Sequence, residues 1–432
     1  GEHFVSVAAR RNPQAARHTL AAMDQAPIRL LHFADLHIGV DNYGPLDLTT
    51  GLSRRVRDFV ERLSEIVDYA LTHQADLVIF AGDAFKNREP NLTWQRAFAK
   101  QIKRLSEAAI PTLLLVGNHD MPVIEARASS MDIFAVLDVP HVIVGRREQC
   151  HFIQTRRGPV QVVTLPWFSR SNLRLAITQD DLSIEQMDAE QSRAVSHVLS
   201  ELAKQLDPDV PAVLAAHITV RGAALSSERS TMLGHDAAIP LDALHLSAWD
   251  YVALGHVHKH QSLNHDRYPP VVYAGSVERV DFSEEHEAKG FCWVELARGN
   301  TRWQFVPLQA RRFVSITVDA TQDGESPTDA VLRAIRRHDV RDAIVRVRVR
   351  TRQEQVPHLQ LRQIAQALNA AYHIAGITSE VVRSNRSRLG ADDVESLTEE
   401  QLLERYLLSR NIPQEHIAEL MSLARTLMRQ ES

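Results

Sequence analysis

Five hydrophobic runs in this chain end in side chains that can bind metal ions. The runs are Ile28–Phe33, Leu77–Phe80, Thr112–Val116, Ala212–Ala215 and Tyr251–Leu254. Behind them come Asp35 and His37 in "ADLHIG", Asp83 in "FAGDAF", Asn118, His119 and Asp120 in "VGNHD", His217 in "LAAHIT", and His256 and His258 in "LGHVH". Short continuous apolar runs bounded by Gly and polar residues read as strands buried on both faces. In α/β sheets, ligand sites lie beyond the carboxyl ends of the strands. The pattern therefore predicts one crevice at which five strand ends meet.

The side chains at those ends are carboxylates, an amide and imidazoles, without a thiolate. Such a set suits Mn²⁺, Fe or Zn²⁺, and it is large enough for two divalent cations. Asp35 and His37 are two residues apart, as are His256 and His258, so each pair can point the same way from extended chain. Asp83 has two oxygens and can bridge two ions. Bridged ions lie ~4 Å apart and can clamp both the attacking and the leaving oxygen of a phosphodiester. Each motif is weak by itself, because a His after a strand is usually an ordinary satisfied polar residue and the chain has 21 of them. The metal reading rests on "DLH", "GD", "GNHD" and "GHVH" in order, each at a strand end.

The ordered set resembles the calcineurin-like metallophosphoesterase superfamily. Within it, the chain resembles the SbcD nuclease family, the nuclease subunit of the SbcCD DNA-repair complex. The narrower likeness rests on "LLHFADLHIG", similar to that family's opening strand and loop. It rests also on "YAGSVERVDFSEEHEAKGF" (Tyr273–Phe291), similar to the family's Gly-Ser-x-Glu-Arg-x-Asp-Phe block. The likeness spans Ile28 to Leu308.

The resemblance implies a first ion on Asp35, His37 and His258, a second on Asn118, His217 and His256, and Asp83 between them. It implies that His119 is catalytic without holding a metal, and that Asp120 orients its ring. It further implies Mn²⁺ as the metal, 3′-to-5′ exonuclease action on duplex ends and single-strand endonuclease action. The implied partner is an SMC-like ABC ATPase of the SbcC type, in a heterotetramer built on a homodimer of this chain. At one position the chain departs from some family members, with Lys86 where they carry a His. Lys86 is either a point charge for a phosphate or a loop residue facing solvent.

At 432 residues the chain is long enough for two or three domains. No run of about 20 apolar residues occurs, so no membrane span is expected. Two cysteines, Cys150 and Cys292, are too few for a disulfide framework and lack metal-binding spacing, so a cytoplasmic protein is expected. The net charge of −5 means that any DNA contact must come from local positive charge.

Residues 1–26 are set apart as an extension. They are readable as a transit peptide, but Met23 is the better candidate for the natural start. Residues 27–310 form the metal-binding domain. Its helical patterns, Ser53–Thr72, Trp94–Ala108 and Glu185–Gln205, alternate with the strands. Strands Val160–Leu165, Val271–Ala274, Phe291–Leu296 and Trp303–Val306 have shorter links. The expected fold is α/β, a two-sheet sandwich flanked by helices. The stretch Arg221–Pro240 lacks periodicity and must run near the crevice. Its Arg221, Ser226, Ser227 and Arg229 are candidate DNA contacts or solvated loop residues.

Residues 311–385 read as a small βαβαβ cap. In its middle strand Val345, Val347 and Val349 alternate with Arg346, Arg348 and Arg350, which puts the arginines on one face. That face is either solvated or a grip on duplex phosphates. Residues 386–432 form a helical tail, with a capping-box pattern at Thr398–Gln401 followed by Leu402, Leu403, Tyr406 and Leu407. A second helix from Pro413 carries an apolar stripe of Ile417, Leu420, Met421, Ala424, Leu427 and Met428. The stripe packs on the first helix or the cap, or docks on the coiled coil of the ATPase; the resemblance favours the ATPase.

A metal-dependent DNA exonuclease and endonuclease is the function these readings point to. Two rivals stay open: a phosphoesterase of the same fold acting on nucleotides or phosphoproteins, and a metal-free scaffold.

Overall fold

The computed structural model describes residues 26–49, 51, 53–122, 127–168, 184–227, 238–265, 267–322 and 324–382, with scattered positions from 403 to 424. The extension before residue 26, Arg229 and the capping box at Thr398–Gln401 lie outside the described residues. So do Leu402, Tyr406, Leu427 and Met428 of the tail.

In chain order the elements are β1 (Ile28–Phe33), α1 (Arg55–Thr72), β2 (Leu77–Phe80), α2 (Leu92–Glu107), β3 (Thr112–Leu115), α3 (Asp132–Val136), β4 (Val142–Gly145), β5 (Gln149–Thr155), β6 (Gly158–Leu165) and α4 (Ile184–Ala203). They continue with β7 (Ala212–His217), β8 (Thr219–Val220), β9 (Ala238–Ile239), β10 (Tyr251–Gly255), β11 (Gln261–Ser262), β12 (Val271–Tyr273), β13 (Gly290–Leu296) and β14 (Arg302–Pro307). The last are β15 (Phe313–Asp319), α5 (Pro327–Ile335), β16 (Ile344–Thr351), α6 (Leu361–Ala367) and β17 (His373–Val381).

Two six-stranded sheets carry the metal motifs, in orders β14-β13-β1-β2-β3-β4 and β11-β12-β10-β7-β6-β5. In the first, β1, β2, β3 and β4 run parallel and β13 pairs antiparallel with β1. In the second, β6, β7, β10 and β12 run parallel, with β5 and β11 antiparallel at the edges. Parallel pairing gives each sheet one edge at which all carboxyl ends emerge together. That geometry brings residues 35 and 258 to one place.

Period-two alternation explains the double burial. Along β1, Ile28 and Leu30 join a core with Val213, Ala215, Tyr251 and Ala253 of the second sheet. Leu31 and Phe33 face the other way, onto Phe59 and Leu63 of α1 and Phe98 and Ile102 of α2. On the far side, Val195 and Leu199 of α4 pack on Leu214, Val252 and Leu254. The result is helix, sheet, sheet, helix, the expected α/β sandwich. His32 sits among the apolar residues between the sheets, its ring nitrogens 3.1 Å from the Tyr251 hydroxyl and 3.2 Å from the Leu254 carbonyl. Burial pushes it down to about 3, so it is neutral.

By its internal contacts the chain divides into two compact units, residues 1–315 with 340–345 and 370–375, and residues 316–339 with 346–369 and 376–432. The second unit holds α5, α6 and the greater part of a sheet in order β15-β16-β17. In β16 Val345, Val347 and Val349 are buried, Arg346 is half-buried, and Arg348 and Arg350 are exposed. α6 follows a separate 3-10 turn at residues 353–358 that includes Pro357. In the tail, Leu407, Ile417 and Met421 bury against one another and against Leu403. Part of the apolar stripe is thus used within the tail itself. Among the described residues, no helix is long and apolar enough to cross a membrane.

Candidate metal centre

Three of the five metal motifs turn sharply after their strands, and the turn strains the backbone. Asp35, His37, Asp83 and His256 all have positive φ, at 50°, 48°, 63° and 95°. Residues other than Gly rarely adopt that region, and such strain gathers at functional sites. The loops are held by one another: Asp35 N–H donates to the Gly82 carbonyl at 3.0 Å, and Leu36 and His37 N–H donate to the Asp83 carbonyl at 2.9 and 3.0 Å. Two glycines make room. A Cβ on Gly117 would stand 2.2 Å from Asp83 Oδ1, and one on Gly82, where φ is +99°, would stand 2.4 Å from His217 Nδ1.

The loops bring the seven side chains expected to bind metal into two adjoining groups. Ligand atoms of Asp35, His37 and His258 lie within 4.8 Å of one another, and so do those of Asp83, His217 and His256. Asn118 belongs to the second group, its Oδ1 3.0 Å from both His217 Nε2 and His256 Nδ1. Asp83 stands between the groups. Its Oδ2 is 3.7 Å from His37 Nε2 and 3.4 Å from His217 Nε2. Its Oδ1 is instead taken by the backbone N–H of His119 at 2.8 Å. A single oxygen, not both, is therefore placed to bridge.

The donor set fits cations. His217 Nδ1 donates to the Ala81 carbonyl at 2.6 Å, which leaves Nε2 as an acceptor. Nε2 then faces two more acceptors, Asn118 Oδ1 and Asp83 Oδ2. Likewise His37 Nε2 and His258 Nε2 meet at 2.9 Å. Buried acceptors that face only each other need a proton or a cation between them. In the metal-free chain a proton serves at His217: burial pulls its pKa down, but the Asp83 carboxylate outweighs burial and pushes it up to about 9. At His37, burial and then the neighbouring His258 hold the pKa well below normal.

Residues 28–260 match the calcineurin-like phosphoesterase family. The chain belongs to that family. Two solved structures are similar to it: the protein TT1561 of Thermus thermophilus and a dimetal phosphatase from Danio rerio. The first is 16% identical, over 65% of this chain and 99% of that one, with a TM-score of 0.38. The second is 11% identical, over 65% of this chain and 96% of that one, with a TM-score of 0.39. The metal-dependent hydrolase character follows from family membership and from a His/Asp cluster able to hold two ions.

Around this phosphoesterase centre, one expected contact is replaced by another. Asp120 does not touch the His119 ring. Its carboxylate accepts from the backbone N–H groups of Asp83 at 2.8 Å, Ala84 at 3.0 Å and Gly117 at 3.1 Å. Asp120 thus ties the "GD" loop to the "GNHD" loop. The His119 ring is oriented by the Lys86 carbonyl, 2.6 Å from Nδ1. The residue three positions after Asp83 serves through its backbone, whatever its side chain. The Lys86 ammonium pairs with Asp41 at 2.8 Å, so it is neither a bare phosphate anchor nor simply solvated.

Of the other candidate contacts, Ser226 bonds Glu287. Ser227 Oγ lies 2.8 Å from His258 Nδ1 and donates to Glu284. Both serine hydroxyls are engaged by carboxylates of the Tyr273–Phe291 block. Arg221 is exposed, and its N–H donates to the Ile239 carbonyl at 2.8 Å. Arg350 pairs with Asp319 at 3.3 Å; Arg346 and Arg348 lie on the same face of β16.

Motif reading missed Glu284 and Lys289. Glu284 is fully buried, with Oε1 2.8 Å from His258 Nδ1 and Oε2 2.9 Å from the Lys289 ammonium. Lys289 also reaches Glu287 at 2.9 Å, Ser276 Oγ at 2.8 Å and the His258 carbonyl at 3.2 Å. Both lie in the "GSVERVDFSEEHEAKGF" block. Their burial is not encoded in the spacing of that block, so the sequence offered no signal that singled them out.

Proposed function

We propose that this phosphoesterase is a two-metal DNA nuclease of the SbcD kind, cutting phosphodiester bonds during break repair together with an SMC-like ATPase. The observation that carries the two-metal part is Asp83 Oδ2, set between His37 and His217. For DNA the support is narrower: the block from Tyr273 to Phe291 and the arginine face of β16.

Asp35, His37 and His258 would hold one ion and Asn118, His217 and His256 the other, with Asp83 shared; Mn²⁺ is the metal proposed. Two such cations supply Lewis acidity at the scissile phosphate and an activated water. The chain's own residues do the rest. His119 donates Nδ1–H to the Lys86 carbonyl, which fixes the ring and leaves Nε2 to meet the phosphate or to give a proton to the leaving oxygen. Asp120 anchors the two loops on which Asp83 and His119 ride. Fixed donors aimed at developing charge lower the barrier without rearrangement at the moment of reaction.

End-labelled duplex DNA with Mn²⁺, with and without the ATPase subunit, tests the proposal. Shortening of the labelled strand that increases with the ATPase is the expected result. Hydrolysis of bis(p-nitrophenyl) phosphate without any DNA cleavage would turn the assignment to a small-ester or phosphoprotein substrate.

A further inference from the structure

A cleft of about 340 Å³ opens between the N-terminal parts of α1 and α2. Arg54, Arg57, Arg96 and Lys100 line it together with Trp94, and Asp47 is the one acid among its lining residues. Arg57 and Asp47 are 3.6 Å apart. Arg54, Arg96 and Lys100 are exposed, and among the described residues their side chains have no ion-pair partner. Clustered cations without counter-charges repel one another, so the concave arrangement favours an anion. The concentration of positive charge is at odds with a chain of net charge −5.

The cleft adjoins the metal centre. Trp94 Cδ1 and Lys86 Cβ lie 3.8 and 3.7 Å from the position a Cβ would take on Gly39, two residues after His37. Trp94 is half-buried, with apolar surface packed on the core below. Cations that track a backbone beside an aromatic on which a base can stack are how proteins hold single strands.

We propose that this cleft is a second phosphate subsite, which holds the backbone of the nucleic-acid strand being cut, at phosphates beyond the scissile one. The inference rests on the nuclease reading above and specifies how that site recognises a polymer. A mononucleotide or a small diester cannot occupy both places. The cleft would therefore act on the binding of long substrates and leave the bond-breaking step alone.

The test uses the full chain and the double variant Arg96→Ala/Lys100→Ala, with Arg54→Ala as a second, independent variant. All three positions are exposed, where substitutions rarely disturb folding. Mn²⁺-dependent cleavage of a short single-stranded DNA is compared with hydrolysis of bis(p-nitrophenyl) phosphate. For the double variant, KM for the oligonucleotide should rise about ten-fold, and the slope of log affinity against log salt should fall by about one to two. kcat and the small-diester rate should stay the same. Oligonucleotide cleavage with unchanged KM and salt slope in both variants would overturn the subsite while sparing the nuclease reading. The same unchanged kinetics with an altered mass in solution would assign the cleft to protein contact and overturn it equally. If the parent chain cleaves only the small diester, the nuclease reading fails first and the subsite with it.

Discussion

Glu284 Oε1 stands 2.8 Å from Nδ1 of His258, while Nε2 of the same ring faces His37 at 2.9 Å. The carboxylate takes the ring proton on one side and so presents a lone pair on the other. A carboxylate behind a metal-binding imidazole fixes its tautomer and makes it a better donor. Lys289, bonded to the other Glu284 oxygen, keeps that carboxylate ionised: burial works against the charge, but Lys289 and His258 outweigh it and hold the pKa well below the usual range.

Glu284→Gln preserves shape and removes the charge. Its expected effect is a ~10–100-fold loss of Mn²⁺ affinity, the usual effect of losing such an outer partner. Calorimetric titration of the metal-free protein measures this. Glu284→Ala goes further, because it strips Lys289 of one of its two carboxylate partners; breaking a buried pair typically destabilises by roughly 3–5 kcal/mol. Unchanged metal affinity in the Gln variant would leave Glu284 with a purely structural role.

His119→Ala separates chemistry from metal binding. The ring packs edge-on against His37, with centroids 4.9 Å apart, but it is the His119 backbone N–H, retained in the variant, that holds Asp83 Oδ1. Two ions per chain should remain by elemental analysis. Hydrolysis should fall by about 10²–10⁴, the range for removing a positioned acid or base. Full activity would remove His119 from the mechanism.

The strand ends were legible because hydrophobic runs and their terminal ligands recur in order. β1, β2, β3, β7 and β10 fall within a residue or two of their apolar runs, and the sandwich follows from them. The partners of those ligands were less legible. That Asp120 would bind three backbone amides instead of the neighbouring His ring depends on the path of the Asp83 loop, which spacing does not encode. The role of Lys86 is in its carbonyl, and side-chain identity says nothing about carbonyls. Glu284 becomes visible only when the 3-10 turn at Phe282–Glu284 turns it inward beneath His258.

Gly117→Ala tests how tightly the two motifs are packed. The added methyl would lie 2.2 Å from Asp83 Oδ1 and 2.5 Å from Asp83 N, both fixed by other bonds. Overpacking of this kind costs about 1–3 kcal/mol, and here the atom displaced belongs to Asp83, the carboxylate set between the two ligand groups. A lower denaturation midpoint together with loss of both ions is expected. Gly376→Ala, where a Cβ would meet nothing within 4 Å, should change little. An unaltered midpoint and two bound ions in Gly117→Ala would show that the loops yield more easily than their geometry indicates.

The proton on His217 makes both stability and metal binding depend on pH. In the metal-free fold Asp83 outweighs burial and pushes the pKa up to about 9, above the ordinary 6.5. A raised pKa means that the folded state binds the proton more tightly than the unfolded chain. The stability it contributes is complete below pH 6.5 and is lost as pH rises through 9, a change on the order of 3 kcal/mol. The metal-free melting temperature should therefore fall between those two values. A cation displaces this proton, so the loaded protein should show a flatter profile, and binding should tighten with rising pH. Titration in buffers of different ionisation enthalpy should count the proton released below pH 9. A flat metal-free profile across that window would mean that His217 and Asp83 are not a charged pair.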